Sequence, residues 1–186
     1  MKNKITKFFT VCFVALTAFS MSTLAGNGTA PDSAGVHKVG DAFGGGIIIQ
    51  ITTGADGKQH GLIAASENLD KAAWGANTSL KTDAASKTDG AANTAACMKA
   101  GIAKTEAAGI CDSYEKDGFS DWFLPAVDQL EVLYKAFPVT KTPGPQFYWS
   151  STSEYPGSAI GFDFNKGASE MSNKHRTGTV RPMRTF

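Results

Sequence analysis

The chain of 186 residues carries 18 Lys and Arg against 17 Asp and Glu, 42% hydrophobic residues and three cysteines. So even a balance excludes a general nucleic-acid binder, which would be strongly basic. The length suits one domain that buries roughly 70% of the surface its unfolded chain exposes.

Lys2, Lys4 and Lys7 form a basic start, and an apolar run from Phe8 to about Met21 follows. Thr23-Leu24-Ala25 then places small residues ahead of Gly26, which predicts a cleaved signal peptide over residues 1–25. The run is shorter than the ~20 residues a membrane helix needs, so no membrane insertion is expected after cleavage. Cys12 lies inside the run and is not read as a lipidation site. The mature protein is expected in the periplasm, at the cell surface or outside the cell. There 15 Lys and Arg face 17 acids, and export also removes most reasons to expect nucleic acid as a partner. Residues 26–37 are small and polar, a flexible lead-in to a domain over 38–186. Cys97 and Cys111 remain, and an even count in an oxidising compartment favours one disulfide. Closing that loop of about 15 residues would contribute ~3 kcal/mol.

Gly44-Gly45-Gly46 opens the run Ile47 to Thr52, whose β-branched density predicts a strand. Asp56-Gly57 supplies a tight turn, and His60 to Ala65 returns as the partner strand. The glycines precede a strand rather than a helix, which weakens any phosphate-loop reading. Residues 66–90 read as a long loop anchored by Trp74. Ala91–Ala100 predicts a short helix stopped by Gly101, and a second short helix spans about 107–115.

Val127, Leu130, Leu133, Tyr134 and Phe137 recur at helical spacing, with Asp128, Gln129, Glu131 and Lys135 facing away. Pro125 suits the first turn of that helix, Glu131 and Lys135 pair, and Pro138 ends it. From Phe147 the period becomes two. Ile160, Phe162 and Phe164 share a face, Asn165-Lys166-Gly167 turns the chain, and residues 168–173 can return as a strand. Thr179–Arg184 makes a last strand, with Pro182 at an edge or bulge. The order is α+β: an opening hairpin, two helices flanking the sheet, then a small antiparallel sheet.

VGDAFGGG (39–46), HGLIAA (60–65), AANTAA (91–96), FSDWFLPAVDQLEVLY (119–134), YWSSTSEY (148–155) and VRPMR (180–184) occur in one order. Together they resemble the C-terminal domain of the Legionella collagen-like protein, over residues 38–186. The resemblance implies a C-type-lectin-like fold with a two-part sheet and termini close together. It also implies a role in bacterial adhesion, including binding of sulfated glycans, through the segment between the W-S-S block and the last strand. The chain lacks the E-P-N or Q-P-D tripeptide and the W-N-D block with which sugar-binding C-type lectins hold calcium. Neither a metal nor a cofactor is expected.

Trp122, Phe123 and Trp149 are assigned to the core, Tyr155 to the surface, and the hydroxyls of Ser150 and Ser151 to backbone groups. His60 reads as structural, and Arg181 and Arg184 as strand residues with acidic partners. Glu170 to Arg176 is polar and reads as a loop between strands, where binding residues concentrate. Lys174 and Arg176 would meet sulfate or carboxylate groups. Ligand contacts are assigned to Tyr155, Asp163, Asn165, Lys166, Glu170, Asn173, Lys174, His175 and Arg176. No catalytic motif is found. The expectation is an exported, non-catalytic, calcium-independent binding protein whose partner is a glycan or a surface protein. The alternative is a structural subunit of a surface or tail-like assembly. An enzyme that makes formylglycine is the remote one.

Overall fold

An unbroken Ile47-Ile48-Ile49 run suits a strand covered on both sides, because successive side chains point to opposite faces. The computed structural model describes residues 35–76, 80–140 and 146–186, with backbone only for 137–140. It contains β1 (Ala42–Phe43), β2 (Gly46–Thr53) and β3 (Gln59–Ala65). Ile48 and Ile63 lie in a cluster with Trp122, whereas Ile49 and Leu62 lie in another with Phe123, Leu130 and Leu133. Both faces of the hairpin are therefore core. At its tip Gly57 takes φ +77, and the Lys58 N–H donates to Asp56 Oδ1 at 3.0 Å, so the predicted turn forms.

The stretch read as one long loop contains β4 (Leu69–Ala73), and Trp74 follows it into the core with its indole N–H on the Ser150 carbonyl at 2.8 Å. The helix α1 (Gly90–Ala100) begins where the Asp89 carboxylate accepts the Ala92 N–H, and it stops at Gly101, φ +93. The Gly101 stop is the one expected, while the Asp89 cap starts the helix at Gly90, one residue ahead of the expected Ala91. The short helix α2 (Ala107–Asp112) packs against α1, β4 and β8 (Thr177–Val180).

The disulfide expected between Cys97 and Cys111 is not formed. Both are free thiols packed among Trp74, Ala107, Ala108 and Leu124, where each behaves as a small hydrophobe.

The helix α3 (Val127–Thr140) lays Leu130 and Leu133 on the hairpin, each burial stabilising the fold by about 2 kcal/mol. Three expectations about it change. Pro125 precedes the helix rather than sitting in its first turn, and its carbonyl accepts the Ser151 N–H. The backbone runs two residues past Pro138, whose fixed φ is itself helical. Gln129 does not face away: it is 9% exposed, and its Oε1 accepts the N–H groups of Ala126 and Gly90 at 2.8 and 3.1 Å. It thus closes half a capping box, while Thr152 Oγ1 takes the Val127 N–H at 3.1 Å. The predicted Glu131–Lys135 pair is present at 2.7 Å.

The remaining strands are β5 (Phe147–Trp149), β6 (Ser158–Asp163), β7 (Ala168–Asn173) and β9 (Met183–Thr185). They complete two sheets, of order β1-β2-β3-β9 and β4-β8-β5-β6-β7. The fold is α+β as expected, but among the described residues three helices accompany sheets of four and five strands. The second sheet also has a parallel pair, Tyr148 opposite Thr179. The single closing strand is split. Pro182 has no N–H to continue a ladder, so the chain leaves the five-stranded sheet at Val180 and enters the four-stranded one at Met183. There Met183 exchanges two backbone hydrogen bonds with Phe123, at 2.8 and 3.0 Å. The expected signal peptide over 1–25, and residues 26–34 of the lead-in, lie outside the described residues. No helix among those described is long and apolar enough to cross a membrane.

Candidate functional site

The nine residues assigned to ligand contact are spread along the β6–β7 hairpin, from its 163–168 turn to the opposite end, where Asn173 pairs with Ser158. Asp163 Oδ1 accepts the Asn165 N–H at 2.8 Å, and Lys166 Nζ lies 3.3 Å from Asp163 Oδ2 and 2.7 Å from Glu170 Oε2. Arg176 pairs with the other Glu170 oxygen and lays its guanidinium 3.6 Å from the Phe147 ring centre. Two cations and two carboxylates thus neutralise one another. The Lys166 hydrogen bond, then that of Arg176, holds the Glu170 carboxyl below its usual range. Arg176 is exposed, and its Nη1 donates to Glu170 and to the Ser172 hydroxyl.

Asn173 and His175 organise the turn after β7. Asn173 Oδ1 accepts the His175 N–H at 2.9 Å, and the Asn173 carbonyl accepts the Arg176 N–H at 2.9 Å. The segment 170–176 is not the loop expected, since 170–173 belong to β7 and only 174–176 turn. Six ladder positions pair β6 with β7, and this pairing reaches Asn173 opposite Ser158.

Lys174 departs furthest from the expectation of a solvated loop cation. It is 1% exposed, its Nζ stands 4.3 Å from the centre of the Trp74 ring, and that Nζ has no hydrogen-bond partner among the described residues. Its backbone is clamped, accepting from Trp74 N–H at 2.9 Å and donating to the Gly157 carbonyl at 3.2 Å. Burial pulls the ammonium pKa below its ordinary value, and the charge interaction with Cys97 opposes that shift.

Above Lys174 opens a pocket of about 140 Å³, bordered by Thr82, Asp83, Ser153, Glu154 and Tyr155. Tyr155 is 55% exposed, and the Ser153 hydroxyl lies 3.2 and 3.1 Å from the Tyr155 and Ser158 carbonyls, holding this rim. Glu154 faces Lys87 at 3.4 Å. The structure therefore brings Tyr155 and Lys174 to one pocket and leaves the other seven outside its lining. Sequence reasoning missed Thr82, Asp83 and Ser153, because nothing local in 80–85 marks a stretch that doubles back over the sheet.

Trp122, Phe123 and Trp149 are core. Ser150 Oγ donates to the Ile160 carbonyl and Ser151 Oγ accepts from Asn93, so only the first serves the backbone. His60 lies half-exposed on β3, 3.5 Å from Asp56. Arg184 has the acidic partner expected, Asp121, whereas Arg181 is fully buried and donates to the Asn68 amide oxygen at 2.9 Å. No group of three or more His, Cys, Asp or Glu able to hold a metal ion lies among the described residues.

No curated protein matches the chain. Residues 64–184 match the family described as the Lcl C-terminal domain, from the end of β3, the second strand of the opening hairpin, to the penultimate residue of β9. This span holds all nine assigned residues and the pocket above Lys174, and the chain belongs to that family.

Proposed function

We propose that this chain is an exported, non-catalytic binding protein of adhesion or recognition, with a C-type-lectin-like arrangement of its two sheets and no requirement for calcium. The observation that carries the reading is the Lys174 ammonium, buried at the floor of an open pocket with no ion-pair partner among the described residues, while the two carboxylates on the rim, Asp83 and Glu154, face Lys81 and Lys87. Desolvating a cation costs several kcal/mol unless it is paired. The Trp74 ring offsets about 2 kcal/mol of that cost, and an acidic group entering from the pocket would offset more. The ligand is thus a carboxylate or sulfate carried on a glycan or on a surface protein, with Tyr155 offering an exposed ring beside it. Thiol chemistry of the formylglycine-forming kind finds little support, because burial pushes Cys97 up to about 12 and Cys111 well above its ordinary value.

The test is binding of the purified protein to arrays of sulfated, carboxylated and neutral glycans, with and without EDTA. Salt-sensitive, EDTA-insensitive binding of acidic glycans that is lost in Lys174→Met supports the reading. Methionine keeps the buried stem and removes only the charge. Binding that survives Lys174→Met sinks the pocket assignment. No glycan binding, with concentration-dependent self-association instead, would favour the structural-subunit reading.

A further inference from the structure

A larger cleft lies apart from the Lys174 pocket, between the first turns of α3 and the face of the four-stranded sheet. Its volume is about 550 Å³, within the range of small-molecule sites. Leu62, Val132 and Phe186 give it an apolar floor, and Asp128, Gln129 and His60 supply polar groups. Phe186 lies flush against the strand because position 61 is glycine. A Cβ there would come within 2.9 Å of Phe186 Cε1 and 1.9 Å of the Gln50 carbonyl oxygen.

Gln129 makes the cleft more than a groove. Two backbone N–H groups, from Gly90 and Ala126, both point at one atom of its amide. That atom must be the oxygen, since only the oxygen accepts. The amide orientation is therefore fixed, and Nε2 is left with no partner among the described residues while the side chain is nine-tenths buried and lines the cleft. Its two donors are preorganised and unspent. The neighbouring Asp128 carboxylate, on the exposed side of the same helical turn, is acceptor-only.

No lysine or arginine is among the lining residues described, and Asp128 is the acidic side chain there. An anionic ligand is disfavoured. We infer that the cleft between α3 and the hairpin is a second binding site, for an uncharged polyhydroxylated ligand of one or two sugar rings, held by Gln129 Nε2 and Asp128 over the Phe186–Leu62–Val132 floor. A hydroxyl both donates and accepts, so adjacent ring hydroxyls satisfy the carboxylate and the amide together, and the C–H face of the ring covers the apolar floor. This inference does not depend on the Lys174 pocket.

The experiment is titration of the whole protein with glucose, galactose, mannose, N-acetylglucosamine, lactose and maltose. It is followed by calorimetry and by the side-chain amide NMR signal of Gln129. Saturable binding of at least one sugar is expected, insensitive to salt and EDTA, with a shift of that amide signal. Asp128→Ala, at an exposed position, should weaken it at least tenfold. Thr88→Trp, on the exposed rim, should abolish it by filling the cleft. Gln129→Glu keeps an oxygen for the Gly90 and Ala126 N–H groups but removes the donor, so it should fold normally and bind at least tenfold more weakly. No saturable binding of any of the six sugars overturns the inference. So does binding that Asp128→Ala and Thr88→Trp leave unchanged. Loss of acidic-glycan binding in Lys174→Met with neutral-sugar binding intact would separate the two sites.

Discussion

Lys174 and Trp74 hold each other twice: the Lys174 carbonyl accepts the Trp74 N–H at 2.9 Å, and the Lys174 ammonium stands 4.3 Å from the centre of the Trp74 ring. The backbone bond fixes where the turn after β7 meets the end of β4. It also forces the side chain inward, beneath the pocket rim, with the Cys97 thiol among its neighbours. A residue type that ordinarily marks a solvated loop becomes the floor of a site.

This burial has a pH signature. The folded Lys174 pKa lies below its ordinary 10.5, chiefly through desolvation. The unfolded chain therefore holds this proton more tightly, and the group weakens folding while both states are protonated. That weakening fades as pH rises from the folded value toward 10.5. Urea unfolding of wild type and Lys174→Met should accordingly differ most near neutral pH, the variant being equally or more stable there, and converge above pH 10. Lys174→Ala, which deletes the packed stem as well, should instead cost about 2–3 kcal/mol. A lysine variant difference that does not change with pH would show that Lys174 is solvated.

Arg184 and Asp121 form a two-pronged pair, Nε to Oδ1 at 2.7 Å and Nη2 to Oδ2 at 3.0 Å, with the guanidinium 4.0 Å from the Phe119 ring centre. Arg184 is buried and Asp121 is half-exposed. The Arg184 hydrogen bond holds the Asp121 carboxyl below its ordinary range, so its contribution is complete above pH ~4 and is lost as pH falls through the folded value. Asp121→Asn should cost about 1–2 kcal/mol at pH 7, reduced from a fully buried pair by solvent at the carboxylate. The cost should vanish in acid. Arg184→Lys should not rescue, because lysine offers neither the fork nor the flat stacking face.

Cys97 and Cys111 are free and buried, with the Cys97 thiol pushed up to about 12 by burial. A thiolate is the reactive form, so neither should react in the native state at pH 8. Mass mapping after alkylation should find both unlabelled until urea is added, and both labelled afterward. Protein from an oxidising compartment whose two cysteines label only after reduction would restore the expected bridge.

The elements readable in the sequence are those whose signal is local. The Asp56-Gly57 turn, the Gly101 end of α1 and the Glu131–Lys135 pair each depend on residues a few positions apart, and each formed where expected. What escaped depends on distant chain. β4, LDKAA, has no β-branched residue and is a strand because β8 lies beside it, more than 100 residues on. Lys174 is buried because Trp74 and residues 80–85 fold over it. Polarity alone placed Lys174 and Gln129 on the surface, and in both cases the partners that bury them come from elsewhere in the sequence.

Gln129 carries the most exacting of these long-range dependences. Its Oε1 serves the Ala126 N–H three residues away and the Gly90 N–H on α1, so one amide joins the starts of two helices. Gln129→Met has nearly the same volume but leaves two buried donors unpaired, each costing about 1–3 kcal/mol. Gln129→Glu retains the acceptor and places a carboxylate at a helix N-terminus, where negative charge is favoured. Chemical denaturation should thus rank Met lowest and Glu between Met and wild type, since the two accepted hydrogen bonds and the helix N-terminus offset part of the cost of burying a carboxylate. Equal losses in both variants would mean that packing, rather than the two accepted hydrogen bonds, holds the junction together.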